Sequence, residues 1–497
     1  MEKIALLLLM TCSLFLNAQN FKVETGEEFE APRVVWNNLI LDPDNSGFYF
    51  IRNKNGIANH YIIHKIDRQT SKTIYQKEID FYVYKGFNKN GKLLLFSVES
   101  KEKTTLSNKS SEKIILNEFN STTGERIGEP VVVDELKSNR AGQGLNYNVT
   151  FSPDNKKMLL TSEIKENEKE QIVTCRLYDT DGYKKIWEKE AMTVYKNSTI
   201  SSAQYMVDNE GTLIYSFAYL RSSYKNQFEM KTDISFAVAI VSGKNNSLKI
   251  HEIPDDGKTL AINTKFINNM VICSGTFADG VGEVPLYAKR GFFMIAIDPV
   301  TLEMKPPAFN YIDEKIQDLF VSDKEKNTRI GWSVPKVFFI KDSYYAVYQH
   351  EYSTTEYNST TLYDDEILTM RYTPENKLAW MKILPRNSSR GTTALNYITT
   401  DKLHLIYYDN PENLKKFPDP ENFIRKEYKY VLLEKSVVVC STIDENGKMT
   451  RSIVPLTGKI ILEEKDPLKL FSYESKSLII PVTVGKKMRR YDILKIQ

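Results

Sequence analysis

Along the chain, apolar and polar positions alternate over short runs bounded by turn-forming residues, which is the period of half-buried β-strands and not of helices. The clearest stretch, Tyr147 to Glu163, reads YNVTFSPDNKKMLLTSE: an alternating strand, a Ser-Pro-Asp-Asn turn, and a second strand apolar at consecutive positions. Related hairpins begin at Leu39, Phe87, Tyr205, Phe266, Phe338, Tyr397 and Phe471. A third strand with its own turn follows each hairpin, ending at Ile66, Phe119, Tyr178, Ile240, Ile297, Tyr372, Ile443 and Ile496, so the period varies between 53 and 75 residues. After seven of those turns comes a further strand, such as LAWMKIL after Asn376 and KKIWEKE after Gly182.

Four antiparallel strands per unit, repeated this often, predict an all-β fold: a β-propeller of four-stranded blades. A blade buries both faces against its neighbours, which suits the consecutive apolar run Leu93 to Phe96. Eight blades are expected, with seven blades and a degenerate first unit acting as a lid as the alternative. The eighth unit has no fourth strand before Gln497, and the alternating stretch Phe21 to Phe29 is expected to supply it beside Tyr491 to Ile496, closing the ring.

The turn Ser152-Pro153-Asp154-Asn155-Lys156-Lys157 resembles the Ser-Pro-Asp-Gly-x-x turn in the propeller repeats of the Tol translocation system and of WD-like proteins, with Asn155 in place of Gly. The whole chain is also similar to uncharacterised secreted propeller-like proteins of the Bacteroidota. Both resemblances imply a fold; neither implies an activity or carries residues over.

The opening MEKIALLLLMTCSLFLNAQN has a base, Lys3, an apolar run from Ile4 to Leu16 and a small residue, Ala18, in the arrangement of a secretory signal peptide. Residues 1–18 are therefore read as a signal and 19–497 as one propeller domain, exported to a periplasmic, cell-surface or extracellular location. A lipid anchor on Cys12 is the lesser alternative, because Leu9-Met10-Thr11 lacks the small residue such sites prefer. No later run reaches the length of an integral membrane segment. With 67 basic and 64 acidic residues mixed along the chain, no nucleic-acid partner is expected. Cys175, Cys273 and Cys440 are an odd, widely spaced set in apolar strands, hence buried small hydrophobes and not a disulfide framework.

If the strands of a blade are A to D, the A–B and C–D connections share one end of the ring and the B–C and D–A connections the other. The A–B turns are short. Several B–C connections are long: Lys101 to Lys113, Arg221 to Thr232, Asp279 to Lys289, Gln349 to Asp365 and Asp409 to Lys429. Aromatic residues interrupt them, and Tyr224, Phe228, Tyr287, Tyr357, Tyr363, Phe417 and Phe423 are the candidate binding residues for a protein or glycan partner. A short helix is expected within Tyr311 to Val321.

No catalytic residue, metal site or cofactor is assigned. His60 and His64 share a strand face without a third ligand, Asp42 to Gly47 starts like a calcium loop but lacks the later carboxylate, and no nucleophile elbow or phosphate loop is present. The alternative function is a glycoside-acting propeller enzyme whose channel carboxylates converge from different blades, Asp364, Asp365 and Glu366 being nearby acids.

Overall fold

The computed structural model describes residues 21–30, 38–42, 46–54, 60–101, 110–138, 146–165, 171–224, 230–244, 246–253, 258–278, 290–312, 329–333, 335–356, 359–389, 395–424, 427–431, 435–455, 459–460, 477–483 and 488–496. It is an eight-bladed propeller. Blade 3 shows the plan: strands A (Asn146–Phe151), B (Lys157–Lys165), C (Gln171–Asp179) and D (Lys185–Ala191) lie side by side, each antiparallel to the next.

The consecutive apolar residues of the B strands follow from this stacking. In blade 2, Leu93 and Leu95 pack with Ile40, Tyr49 and Ile63 of blade 1. Leu94 and Phe96 point the other way, into Val149 and Met158 of blade 3. A two-residue period thus feeds two dry interfaces at once. The same happens around the ring, and the last interface sets Phe48, Phe50 and Ile66 of blade 1 against Ile479, Tyr491 and Ile493 of blade 8. The first unit is therefore a full blade (Asn38–Leu41, Gly47–Asn53, Tyr61–Asp67, Thr73–Ile79) and not a lid.

Ring closure uses both ends of the chain. Blade 8 contains Lys459–Ile460, Ser477–Thr483 and Met488–Ile496, and its outer strand is Phe21–Glu24, registered with Phe21 opposite Ile496 and Val23 opposite Leu494. Phe21 and Val23 lie partly buried against the core between blades 7 and 8. The expected span to Phe29 is not continuous: residues 25–28 leave the ladder, and Phe29–Glu30 rejoins opposite Arg489 and Met488. Close backbone approach explains the detour, since a Cβ on Gly26 would sit 2.1 Å from the Tyr491 carbonyl oxygen. The Gly26 amide donates instead to Asp492 Oδ1 at 3.1 Å. The strand expected from Phe471 lies at 471–476, outside the described residues; the described inner partner of Ser477–Thr483 is Lys459–Ile460. The helix expected after Tyr311 also falls largely outside the described residues.

At the A–B/C–D end, which we call the turn face, the C–D turns share one local chemistry. The side chains of Asp67, Asn120 and Asp298 each accept from the backbone amides two and three residues on. A left-handed residue then closes the turn, as at Ser71, Gly124 and Leu302. These turns hold the preceding blade: Ser121 O accepts from Lys65 Nζ (2.8 Å) and Tyr49 OH (3.0 Å), and Asn376 Nδ2 donates to Met294 O and Pro306 O, both at 2.9 Å.

Candidate functional site

At the opposite end, strands B and C of two blades continue as two-stranded ribbons beyond the strands that flank them. In blade 4, Leu213–Tyr224 and Met230–Val241 pair out to Tyr224 opposite Met230, whereas the flanking strands stop at Ala218 and Ala237. In blade 6, Ser343–Glu356 and Ser359–Tyr372 are 14 residues each and pair out to Glu356 opposite Ser359. The connection Gln349 to Asp365, expected as a loop, is thus almost entirely strand. Its polarity hid a β-forming composition, in which Thr354 faces Thr361 and Thr355 faces Thr360 across the ladder. Tyr224 and Tyr363 occupy ribbon strand positions, Tyr363 opposite Tyr352. Phe228, Tyr287 and Tyr357 lie outside the described residues.

Blade 7 departs from this plan with an insertion between its B strand (Leu403–Asp409) and C strand (Val437–Ile443). It opens with a helix, Pro411–Lys416, which has each terminal signal in place: Asn410 caps the Glu412 amide, Pro411 starts it, Glu412 lies in the first turn and Lys415 and Lys416 in the last. A buried polar group anchors the insertion. Asp409 Oδ1 accepts from Asn413 Nδ2 (2.9 Å) and the Asn410 amide (2.7 Å), and Asp409 Oδ2 accepts from Tyr428 OH. Arg451 Nη1, from strand D, lies 3.5 Å from Asp409 Oδ2 and donates to Tyr428 OH at 3.0 Å. Burial pushes the Asp409 carboxyl up, against the pull of these donors. Burial also works against the charge of Arg451, yet the tyrosines and the carboxylate around it hold it above its ordinary value.

Two candidate binding residues belong to this insertion. Phe417, expected as an exposed ring, is 5 % exposed and stacks on Tyr428 with ring centres 5.8 Å apart. Phe423 is half-buried, meets the Tyr428 ring edge-on and packs against the core of blades 5 and 6. Lys382 with Glu421 at 2.6 Å and Asn387 O with the Val431 amide at 2.8 Å tie the insertion to the outer strand of blade 6. The insertion is therefore a fixed feature, and among its described residues Ile424 and Tyr430 are exposed apolar ones.

Beside it, a polar seam crosses blade 6. Strand A breaks between Trp332 and Lys336, strand B bulges between Gln349 and Glu351, and strand D breaks between Leu384 and Ser388. At this level His350 Nδ1 lies 3.0 Å from Glu366 Oε2, both essentially inaccessible, with the Trp332 ring 5.1 Å from the imidazole. Glu366, one of the three candidate acids expected near the loop face for the glycoside-acting alternative, is thus part of the blade interior. No sequence period marked this pair, because each residue falls at a point where the strand register slips.

The remaining chemical candidates are occupied structurally. Asp42 sits 3.3 Å from Lys65 Nζ in a buried pair, which leaves it a poor start for a calcium loop. His64 is buried, stacks on Phe50 at 4.3 Å and faces Arg52 Nε at 2.8 Å, whereas His60 is exposed, so the two do not form a metal pair. Among the described residues no cluster of three His, Cys, Asp or Glu residues could hold a metal ion. Cys175, Cys273 and Cys440 are buried free thiols, as their strand setting implied. The described inner strands contain no Asp or Glu, so they provide none of the channel carboxylates that a glycoside-acting enzyme would need.

No family model and no curated protein matches the chain. Among solved structures, the chain is similar to the WD40 domain of SCAP from fission yeast, with 10% identity over 96% of this chain and 98% of that one and a TM-score of 0.41. It is similar to the β-propeller domain of the Trilobed protease from Pyrococcus furiosus at 8% identity, over 83% and 96% of the two chains, with a TM-score of 0.35. TolB from Acinetobacter baumannii matches at 14% identity over 69% and 64%, with a TM-score of 0.27.

Proposed function

We propose that the protein is an exported β-propeller that binds a protein or glycan partner through the ribbon face. The observation that carries this reading is the length of the paired ribbons of blades 4 and 6, which continue past their flanking strands. A ladder that leaves its own blade adds little to the core, but it presents side chains on a scaffold already ordered before binding, which lowers the cost of association. The anchored insertion of blade 7 adds a second fixed projection on the same end. Export rests on Lys3 and the apolar run to Leu16.

Shortening both ribbons tests the reading. Replacing 222–232 and 354–361 each by Asn-Gly leaves Arg221 and Asp233, and Ser353 and Leu362, flanking two-residue turns of the kind hairpins favour and spares the ladders of the flanking strands. The shortened protein should unfold at an unchanged temperature and lose whatever the full-length mature protein captures on glycan and peptide arrays. Equal capture by both proteins, or no capture by the full-length one, overturns the proposal.

A further inference from the structure

The connection from blade 1 to blade 2 reads Phe81-Tyr82-Val83-Tyr84, a run that looks like packing material throughout. Three of its residues are used that way. Phe81 stacks on Phe119 with ring centres 6.4 Å apart, and Val83 is buried in the same core between blades 1 and 2. Tyr84 packs between blades 2 and 3 and donates its hydroxyl to Tyr147 O. Tyr82 turns outward instead and is 41 % exposed. Asp80, on the other side of the inward-turned Phe81, is exposed as well.

The Tyr82 ring meets Tyr61 edge-on at 5.9 Å. Tyr61 opens strand C of blade 1, and its ladder partner is Ile79, the last residue of strand D. One step beyond that rung the antiparallel register sets His60, which is exposed, across from Asp80. Two separate segments thus bring two tyrosine rings, an imidazole and a carboxylate to the free end of one ladder. That end belongs to the ribbon face, where C strands begin and D strands finish. Among the described residues none of these four side chains makes a hydrogen bond or an ion pair. Glu78, earlier on strand D, is already paired with Lys54 at 2.6 Å.

A pyranose ring makes two demands on a site: a flat apolar support for its C–H face, and polar partners for its hydroxyls. A tyrosine ring already steadied by an edge-on neighbour supplies the first at little ordering cost. The Asp80 carboxylate offers two acceptor oxygens, and the His60 imidazole has nitrogens that donate or accept. A protein partner would call for aliphatic residues around the rings, but Ile62, Ile63, Ile79 and Val83 of these segments are all buried. An acidic sugar would meet Asp80 as a like charge. We propose that, on the reading of the ribbon face as the ligand face, Tyr82 and Tyr61 form a stacking platform for a neutral saccharide whose hydroxyls bond to Asp80 and His60.

Calorimetric titration of the mature protein with maltohexaose, cellohexaose, xylohexaose, mannohexaose and hexagalacturonate tests this site. A neutral chain should bind with little dependence on ionic strength, and hexagalacturonate should bind more weakly. Y82A should weaken neutral binding by about three- to tenfold, as loss of one aromatic stack does. D80N should weaken it by about tenfold, as loss of a charged acceptor does, and should narrow the gap to hexagalacturonate. The control V300A, at an exposed turn-face tip, should bind as before. Both test positions are exposed, and a circular-dichroism melt confirms that the variants fold. No binding of any neutral chain, whether or not peptides are captured, overturns the proposal. So does hexagalacturonate binding as tightly as the best neutral chain, neutral binding that either Y82A or D80N leaves intact, or a loss that V300A reproduces. The ribbon-shortened protein separates the two proposals: it keeps residues 60–61 and 80–82, so it should bind the neutral chain even if its array partners are lost.

Discussion

The two ends of this ring are built on different principles. On the turn face, short connections are fastened to neighbouring blades by repeated contacts, such as Glu445 O accepting from Trp380 Nε1 at 2.9 Å and Arg371 Nη1 at 2.6 Å. On the ribbon face, strands leave the blade and their outermost pairs meet only each other. One end is spent on holding eight blades in register; the other is free to vary without disturbing them. The buried anchors of blades 6 and 7 are the exception, because they bring the cohesion of the turn face into the ribbon face.

The sharpest way to break this division is to remove one charge from the blade 7 anchor. In Arg451→Ala, Asp409 would be left in a buried site without its cation, a change of the kind that costs about 3–5 kcal/mol. Chemical denaturation should show a loss of that size despite the position on the ribbon face. A loss under about 1 kcal/mol would mean that the insertion is not fastened as described.

Closure of the ring is next in size. Deleting residues 19–30 removes the outer strand of blade 8 and with it the Phe21 and Val23 contacts, worth about 1.5–3 kcal/mol each when fully buried, somewhat less here because both are partly exposed. It also bares a sheet edge, so the truncated protein should associate in sedimentation experiments. Gly26→Ala tests the same joint by a single methyl, set against the Tyr491 carbonyl. A monomeric truncation with an unchanged unfolding midpoint would show that the ring does not depend on this strand.

That joint also shows what the sequence made legible. The pairing of Phe21 to Glu24 with the chain's last strand could be anticipated because the eighth unit lacked a partner and the N-terminal stretch alternated. The break at Gly26 could not, because it depends on a contact 465 positions away, between residues 26 and 491. Blade number was legible for the same reason as the cores: alternate B-strand residues feed two interfaces, so the repeat appears in every unit. The candidate site was less so. Polarity suggested loops where Thr, Ser and Tyr form ladders, and it suggested an exposed ring at Phe417, whose position depends on Tyr428 and a distant arginine. The His350 and Glu366 pair appears only once strands B and C of blade 6 are aligned.

Acid gives an intermediate effect on both ends. Burial takes His64 down to about 3 and His404 to about 4, so both stay neutral in the folded protein while the unfolded chain takes up protons below about 6.5. Their contribution to stability is fully present above that pH and declines as pH falls toward the folded values, by about 1.4 kcal/mol per pH unit for each histidine. Asp409, raised by burial, opposes this trend. His64→Phe keeps the stacking on Phe50 and should flatten the slope between pH 6 and pH 4, roughly the span set by these values. An unaltered slope would assign the acid sensitivity elsewhere. A turn-face contact should register on a similar scale: Asn376→Ala unpairs two carbonyls of blade 5 and should cost about 1–3 kcal/mol.

The smallest effect on stability is expected where the effect on function is largest. Tyr224→Ala, Tyr363→Ala and Phe423→Ala lie on the ribbons and the insertion, at positions 224, 363 and 423, and they test whether this end recognises a partner. Tyr224 and Tyr363 occupy ladder positions beyond or beside the blade core, and each replacement should shift stability by less than about 1 kcal/mol, in the range of a cross-strand pair. Phe423 is half-buried and should cost somewhat more, because it also meets Tyr428. On glycan and peptide arrays all three should weaken capture, Phe423 least, since part of its ring is already committed to packing. Reversal of that order, with Tyr224→Ala or Tyr363→Ala unfolding the protein while capture persists, would make the ribbons structural and leave the ribbon face without a binding role.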